Sequence, residues 1–337
     1  MMRAWELSGG FGLEHLRATQ RPDPAPGPGE VKIRLRAASL NYRDLLIIQG
    51  VYNPRLAFPL IPVSDGCGEV VAIGEGVRGL SLGEMVIPLF HQAWQGGPPS
   101  LERLSQSLGS PLDGVMADYR LFRAEGLVKA PSHLTAEEAA TLPCAGVTAW
   151  TALMTEGRLA AGETVVIQGT GGVSVFALQF AKLAGARVIV TSSSNEKLER
   201  ARALGADHLI NYRETPDWAR PVRALTNGRG ADHIVEVGGA GTLDQSLKAI
   251  RIGGFISVIG VLAGAEKALS LPRILMQHVH MQGITVGSRD DFEAMARAMS
   301  QAKLRPVVDR VFPFEALKQA LEHLAQGKHF GKIALSF

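Results

Sequence analysis

Thr164-Val165-Val166-Ile167-Gln168-Gly169-Thr170-Gly171-Gly172-Val173-Ser174 decides how the rest of this chain is read. A β-branched apolar run stops at glycines, and Val175 to Ala184 then places apolar residues at helical spacing, so a buried strand turns sharply into a helix. Gly169 permits the tight turn and Gly171 lets a diphosphate approach the backbone. The helix that follows points free N–H groups and its positive dipole end at the anion. The third glycine of the usual pattern is replaced by Ser174, or by Gly172 if the loop is read one register tighter. Arg187-Val188-Ile189-Val190-Thr191 then supplies the second strand that a βαβ unit requires. The expected ligand is a dinucleotide, cradled by Gly169, Thr170, Gly171, Gly172 and Val173.

Outward from this junction, toward the C-terminus, strands and helices alternate. Strands are expected at 164–169, 187–191, 208–210, 233–237, 255–259 and 284–287, with helices at 172–184, 195–204, about 216–226 and 242–251. Six strands with intervening helices predict a doubly wound parallel sheet. Toward the N-terminus the pattern changes. Pro22-Asp23-Pro24-Ala25-Pro26-Gly27-Pro28-Gly29 excludes helix and central strand, Glu30 to Ala37 alternates polar with apolar, and Gly66-Cys67-Gly68-Glu69-Val70-Val71 reads as tightly curved strand. Residues 91–114 read as an inserted loop with at most one helical turn. Asn41 to Gln49 reads as a short helix, and Thr135 opens another with a hydroxyl cap and an acidic first turn. Residues 290–301 and 313–326 are expected to be helical, and 332–335 a last strand.

Composition narrows the class. The 337 residues suggest two domains, and 46% hydrophobic with 20% charged residues is ordinary for a globular protein. A formal net charge of +3 with no lysine- or arginine-rich block gives no reason to expect nucleic acid. No run of about eighteen apolar residues occurs and the N-terminus lacks a signal-type apolar core, so a cytoplasmic location off the membrane is expected. Cys67 and Cys144 are too few for a disulfide framework or a four-thiolate zinc site.

Together with these features, Ser39-Leu40-Asn41-Tyr42-Arg43-Asp44, Gln49-Gly50-Val51-Tyr52, Gly169 to Val173, Ala203-Leu204-Gly205-Ala206-Asp207 and His329-Phe330-Gly331-Lys332 resemble the medium-chain dehydrogenase/reductase superfamily over nearly the whole chain. The nearest likeness within it is the zinc-free quinone oxidoreductase branch and its alcohol-dehydrogenase-like relatives. The resemblance implies an α/β protein with a GroES-like β-barrel catalytic domain, 1–127 completed by 289–337. A doubly wound Rossmann nucleotide-binding domain would occupy 128–288. The zinc enzymes' ligand positions are occupied by Asn41 and by Val63-Ser64-Asp65, which leaves Cys144 with Asp65 and no imidazole, a poor tetrahedral set, so no metal is expected. The alternatives are a zinc-containing alcohol dehydrogenase and a non-catalytic NADPH-binding protein.

NAD enzymes of this fold usually end the second strand with a carboxylate that binds the ribose 2′-hydroxyl. Here Ser192, Ser193 and Ser194 stand there and Lys197 follows, which suits the extra phosphate of NADP(H). By resemblance Lys197 and Tyr212 contact that phosphate, Thr148, Val261 and Val286 line the nicotinamide, and Lys332 neutralises the pyrophosphate. Tyr52 resembles the tyrosine of metal-free enoyl reductases and is the candidate hydrogen-bond donor to a substrate oxygen, with Asn41 and Asp44 on the same wall. The implied reaction is hydride transfer to or from a small carbonyl, quinone or enone. A homo-oligomer, dimer or tetramer, is implied as well, through the sheet edge near 254–259 and the segment 271–284.

Overall fold

β1 (Met2–Leu7) and β2 (Leu16–Arg21) open the chain as an antiparallel pair, in a computed structural model that describes every residue from Met1 to Phe337. β3 (Glu30–Leu40) has the expected wet and dry faces over its first half, then is buried on both from Ala37. α1 (Tyr42–Ile48) follows at once. β4 (Asp65–Ile73), β5 (Met85–Pro88), α2 (Leu101–Leu104), β6 (Tyr119–Arg123), β7 (Leu127–Lys129) and α3 (Ala136–Ala139) come next. β4 needs its glycines, because a Cβ on Gly68 would collide with the carbonyl oxygen of Arg34 on β3. α4 (Val147–Trp150) lies between two π-helical turns, Leu142–Gly146 and Thr151–Thr155.

The parallel sheet forms from β8 (Thr164–Gln168), β9 (Arg187–Ser192), β10 (His208–Asn211), β11 (Ala231–Glu236), β12 (Ile250–Val258) and β13 (His280–Gly283). Between them run α5 (Gly172–Leu183), α6 (Asn195–Ala203), α7 (Ala219–Leu225), α8 (Leu243–Ala249) and α9 (Leu271–Met276). The strand order is β10-β9-β8-β11-β12-β13, so the order reverses between β8 and β11 and a crevice opens at their carboxyl ends. The last strand differs from expectation. It lies at 280–283 rather than 284–287: the N–H of Ile284 makes the last rung, to the carbonyl of Val258, and Val286 then turns to a positive φ of 69°, which no strand continues.

The chain then adds α10 (Arg289–Ala302), β14 (Val308–Pro313), α11 (Leu317–Ala325) and β15 (Lys332–Ser336). β14 and β15 complete a seven-stranded sheet in the order β14-β15-β3-β4-β5-β7, with β6 also on β3. One compact unit comprises Met1–Val147 with Gly287–Phe337, and the other Thr148–Val286. Residues 128–147 thus group with the barrel. In the barrel unit Ile33, Leu35, Ile47, Ile48, Ile61 and Leu321 form the dry centre; in the other, Val166, Ile189, Ile234, Leu247 and Ile256 do so.

Candidate active site

In the parallel-sheet unit the β8–α5 turn has the features the motif demands. Gly169 adopts a φ of 69°, open to glycine without strain, and its N–H bonds the carbonyl of Thr191 at 2.7 Å. Gly171 caps α5 with no side-chain acceptor, so the first N–H groups of the helix have no capping partner, and a Cβ at Gly171 would enter open space. An anion at that helix end meets free donors and a favourable dipole. Ser174 is buried, and its hydroxyl donates to the carbonyl of Gln168 at 2.7 Å, so it braces the strand end. Thr170 is buried beside it, while Gly172 and Val173 are half-buried on the first turn.

The end of β9 carries no carboxylate. Ser192 accepts the N–H of Ser194 at 3.3 Å, Ser194 caps α6 by accepting the N–H of Lys197 at 3.3 Å, and Tyr212 bonds the carbonyl of Ser192 at 3.1 Å with its ring half exposed. Ser192, Ser193, Lys197 and Tyr212 are therefore gathered at one strand end. Glu214 is near, but it accepts from Asn195 at 2.8 Å and Asn211 at 3.0 Å. Thr148 is buried on α4, Val261 is half exposed after β12, and Val286 is buried in its strained conformation.

In the barrel unit a buried polar cluster forms where β15 meets β3. The antiparallel register of Ile333 on Leu40 sets Lys332 beside Asn41. The Lys332 ammonium, 3% exposed, donates to the carbonyl of Leu40 at 2.7 Å and to Oδ1 of Asn41 at 2.5 Å. Nδ2 of Asn41 donates to Ser64 Oγ at 3.3 Å, and Ser64 Oγ donates to Asp65 at 2.7 Å. The amide of Asn41 is thus engaged inside the fold. Asp44 accepts the N–H groups of Asn41 at 2.8 Å and Ser64 at 3.3 Å, and completes a capping box with Asn41 at the start of α1. Burial pushes the Asp44 carboxyl up to about 6 despite the neighbouring Arg43, and burial raises Asp65 despite Lys332. Val63, just before Ser64, has a positive φ of 70°, a costly conformation for a β-branched residue.

Arg43 had no role in the sequence reading. It is buried, its guanidinium lies over the rings of Phe90 at 4.6 Å and Tyr52 at 4.9 Å, and it donates to the carbonyls of Leu108 at 2.8 Å and Ser110 at 3.3 Å. The inserted segment is therefore tied to α1 by one side chain. Tyr52 is 52% exposed, so its ring is held by Arg43 while much of it faces solvent. Glu236 and Gln168 also went unnoticed in the sequence, and both lie at the strand ends that flank the crevice. The signal was a single acidic residue closing an apolar strand just before glycines.

A zinc ion, implied by part of this fold family, does not fit the residues present. No group of three or more His, Cys, Asp and Glu side chains converges. Cys144 places its backbone N–H on Asp65 at 3.0 Å, and burial drives its thiol well above the ordinary range, against the thiolate a metal requires. Asn41 Oδ1, which faces the same place, is bonded to the Lys332 ammonium. A dinucleotide does fit, because the uncapped helix end and the open face of Gly171 leave donors and room for its phosphates.

Comparison with known proteins agrees with this architecture. Residues 27–132 match the family described as the alcohol dehydrogenase GroES-like domain, and residues 172–301 match the family of zinc-binding dehydrogenases. A zinc-type alcohol dehydrogenase-like protein of Schizosaccharomyces pombe is 45% identical, over 90% of this chain and 89% of its own. An acryloyl-coenzyme A reductase of Metallosphaera sedula is 32% identical, over 95% of this chain and 96% of its own. The crystal structure of an NAD-dependent alcohol dehydrogenase superposes with a TM-score of 0.92 at 36% identity, covering both chains completely. Motif, topology and relatives converge: the chain belongs to the medium-chain dehydrogenase/reductase superfamily, whose members are oxidoreductases that use nicotinamide coenzymes on small molecules.

Proposed function

We propose that this protein is an NADP(H)-dependent oxidoreductase that works without a metal and passes hydride to or from a small carbonyl, quinone or enone. The observation that carries the coenzyme choice is the end of β9, where Ser192, Ser193, Lys197 and Tyr212 gather and the strand itself ends in hydroxyls instead of a carboxylate, with the nearby Glu214 engaged by Asn195 and Asn211. The NAD dependence of one structural relative argues the other way, and coenzyme competition decides between them. The reductase acting on acryloyl-coenzyme A, an activated alkene, favours the enone class of acceptor.

When bound, the coenzyme supplies hydride. The chain's own residues would bind and orient it: Gly169 to Val173 would hold the diphosphate, Thr148, Val261 and Val286 would border the nicotinamide, and Lys332 would neutralise the pyrophosphate. Tyr52 donates a hydrogen bond from its phenolic hydroxyl to the substrate oxygen on which negative charge grows. Asn41 and Asp44 hold the wall behind it. NADPH oxidation across a panel of enones and quinones, undiminished by a chelator and with no zinc in the purified protein, is the expected result. Activity lost with the metal and restored by zinc would favour the alcohol dehydrogenase alternative.

The same reading makes the protein a homo-oligomer. β13 is an edge strand, and Leu271, Leu275 and Met276 beside it are each more than 70% exposed, an apolar surface that a second copy would cover. Leu275→Glu is expected to lower the mass measured by light scattering; an unchanged mass would place the contact elsewhere. No helix is long and apolar enough to cross a membrane.

A further inference from the structure

The carboxylate of Glu236 is fully buried at the carboxyl end of β11, and no lysine, arginine or histidine pairs with it. Hydrogen bonds alone hold it. One oxygen accepts the N–H groups of Gly238 at 2.9 Å and Gly239 at 3.0 Å and the hydroxyl of Thr242 at 2.5 Å. The other accepts Nε2 of Gln168 at 2.6 Å and the hydroxyl of Ser246. Gln168 in turn donates to Ser246 at 2.8 Å, and its Oε1 accepts the N–H groups of Val237 at 3.3 Å and Gly238 at 3.2 Å. A buried charge that is this fully coordinated fixes the positions of its donors, because any displacement leaves the carboxylate short of a bond in a low-dielectric place.

Those donors belong to the two sides of the crevice. Gln168 immediately precedes Gly169, the first glycine of the phosphate turn. Gly238, Gly239 and Thr242 form the loop after β11, and that loop is zipped to the one after β12: Ala240 bonds the carbonyl of Gly264 at 2.9 Å, and Ala263 bonds the carbonyl of Gly238 at 2.7 Å. There is no slack in this contact, since a Cβ on Gly239 would lie 2.6 Å from the carbonyl oxygen of Gly264. Val261 rides on the second loop.

We propose that Glu236 is a positioning residue of the dinucleotide site, one that registers the loop bearing Val261 against the phosphate turn and so sets how well the nicotinamide half is held. The inference rests on the reading of this unit as a dinucleotide site, and it assigns no contact between Glu236 and the coenzyme. The 2′-phosphate end, built on β9 and α6, lies outside the network. The two halves of the ligand therefore respond differently when Glu236 is changed.

The test is calorimetric titration of the full-length wild type and Glu236→Gln with NADPH and with adenosine 2′,5′-bisphosphate, which lacks the nicotinamide half. The expected result is a dissociation constant about tenfold higher for NADPH and within about twofold of wild type for the bisphosphate. Gln168→Glu combined with Glu236→Gln exchanges amide and carboxylate and is expected to recover part of the loss. Thr242→Val, which removes one donor and is the milder change should Glu236→Gln not fold, is expected to show a smaller loss of the same selectivity. Equal weakening of both ligands, or unaltered NADPH binding beside a lowered thermal midpoint, would overturn the inference and leave Glu236 a purely structural group. A wild type that binds the bisphosphate but no nicotinamide dinucleotide would overturn it too. Failure of the wild type to bind any of these ligands would overturn the dinucleotide reading itself along with it.

Discussion

Lys332 and the carboxylates around it are costly to bury and cheap to unbalance. Arg43 and Lys332 offset Asp44 and Asp65 in the buried cluster, and Lys332 bonds only neutral oxygens. Lys332→Met leaves that cluster one positive charge short and is expected to cost about 3 kcal/mol in urea unfolding, the scale for stripping a buried charge of its partner. A loss below about 0.5 kcal/mol would show that the ammonium is not needed to hold Asn41. Two carboxyls give pH dependences of opposite sign. Asp44, raised by burial to about 6, holds its proton more tightly folded than unfolded, so stability falls as pH rises from about 4 to about 6 and then levels. Burial works against the Asp232 carboxylate as well. Hydrogen bonds from Arg229, from the N–H of Thr164 and from Arg251 outweigh it and hold the group down at about 2. Its contribution is present above about pH 4 and is lost as pH falls toward 2, about 1 kcal/mol once solvent screening is allowed for. Unfolding free energies across pH 2 to 7 are expected to lose the upper slope in Asp44→Asn and the lower one in Asp232→Asn. Slopes that survive these substitutions would reassign them.

At the scale of elements, α1 and the insertion behave as one piece because Arg43 reaches across to Leu108 and Ser110. Arg43→Lys keeps the charge but loses the planar fork and its stacking on Phe90 and Tyr52, so faster amide hydrogen exchange is expected over 107–112 with little change in β8–β12. Uniform exchange rates would show that other contacts anchor the loop. Elements whose reason is local were legible in the sequence. The glycine turn after β8, the Thr135 cap of α3 and the alternation in β3 all announced themselves, because each rests on a residue's own conformational preference or pattern. Elements whose reason is distant were not. The ladder of β13 ends where Val286 is forced to positive φ, and α9 is a six-residue helix too short for periodicity to reveal. Asn41 and Asp44 could be named as a helix start. Their joining to Lys332 depends on β15 pairing with β3 across almost the whole chain length, which no local pattern records.

For the whole molecule, each of the two units is built on its own kind of sheet. The parallel sheet reverses its strand order between β8 and β11 and leaves an uncapped helix end at the crevice, while the barrel sheet closes around an internal cation and donors poorly suited to zinc. The functional proposal follows from what those two places can hold. Calorimetric competition of NADPH against NADH on chelator-treated protein tests it most directly. The expected result is retention of both dinucleotides, with NADPH tighter by about tenfold or more. Tighter binding of NADH would contradict the role given to Ser192, Ser193, Lys197 and Tyr212, and binding of neither would contradict the account as a whole.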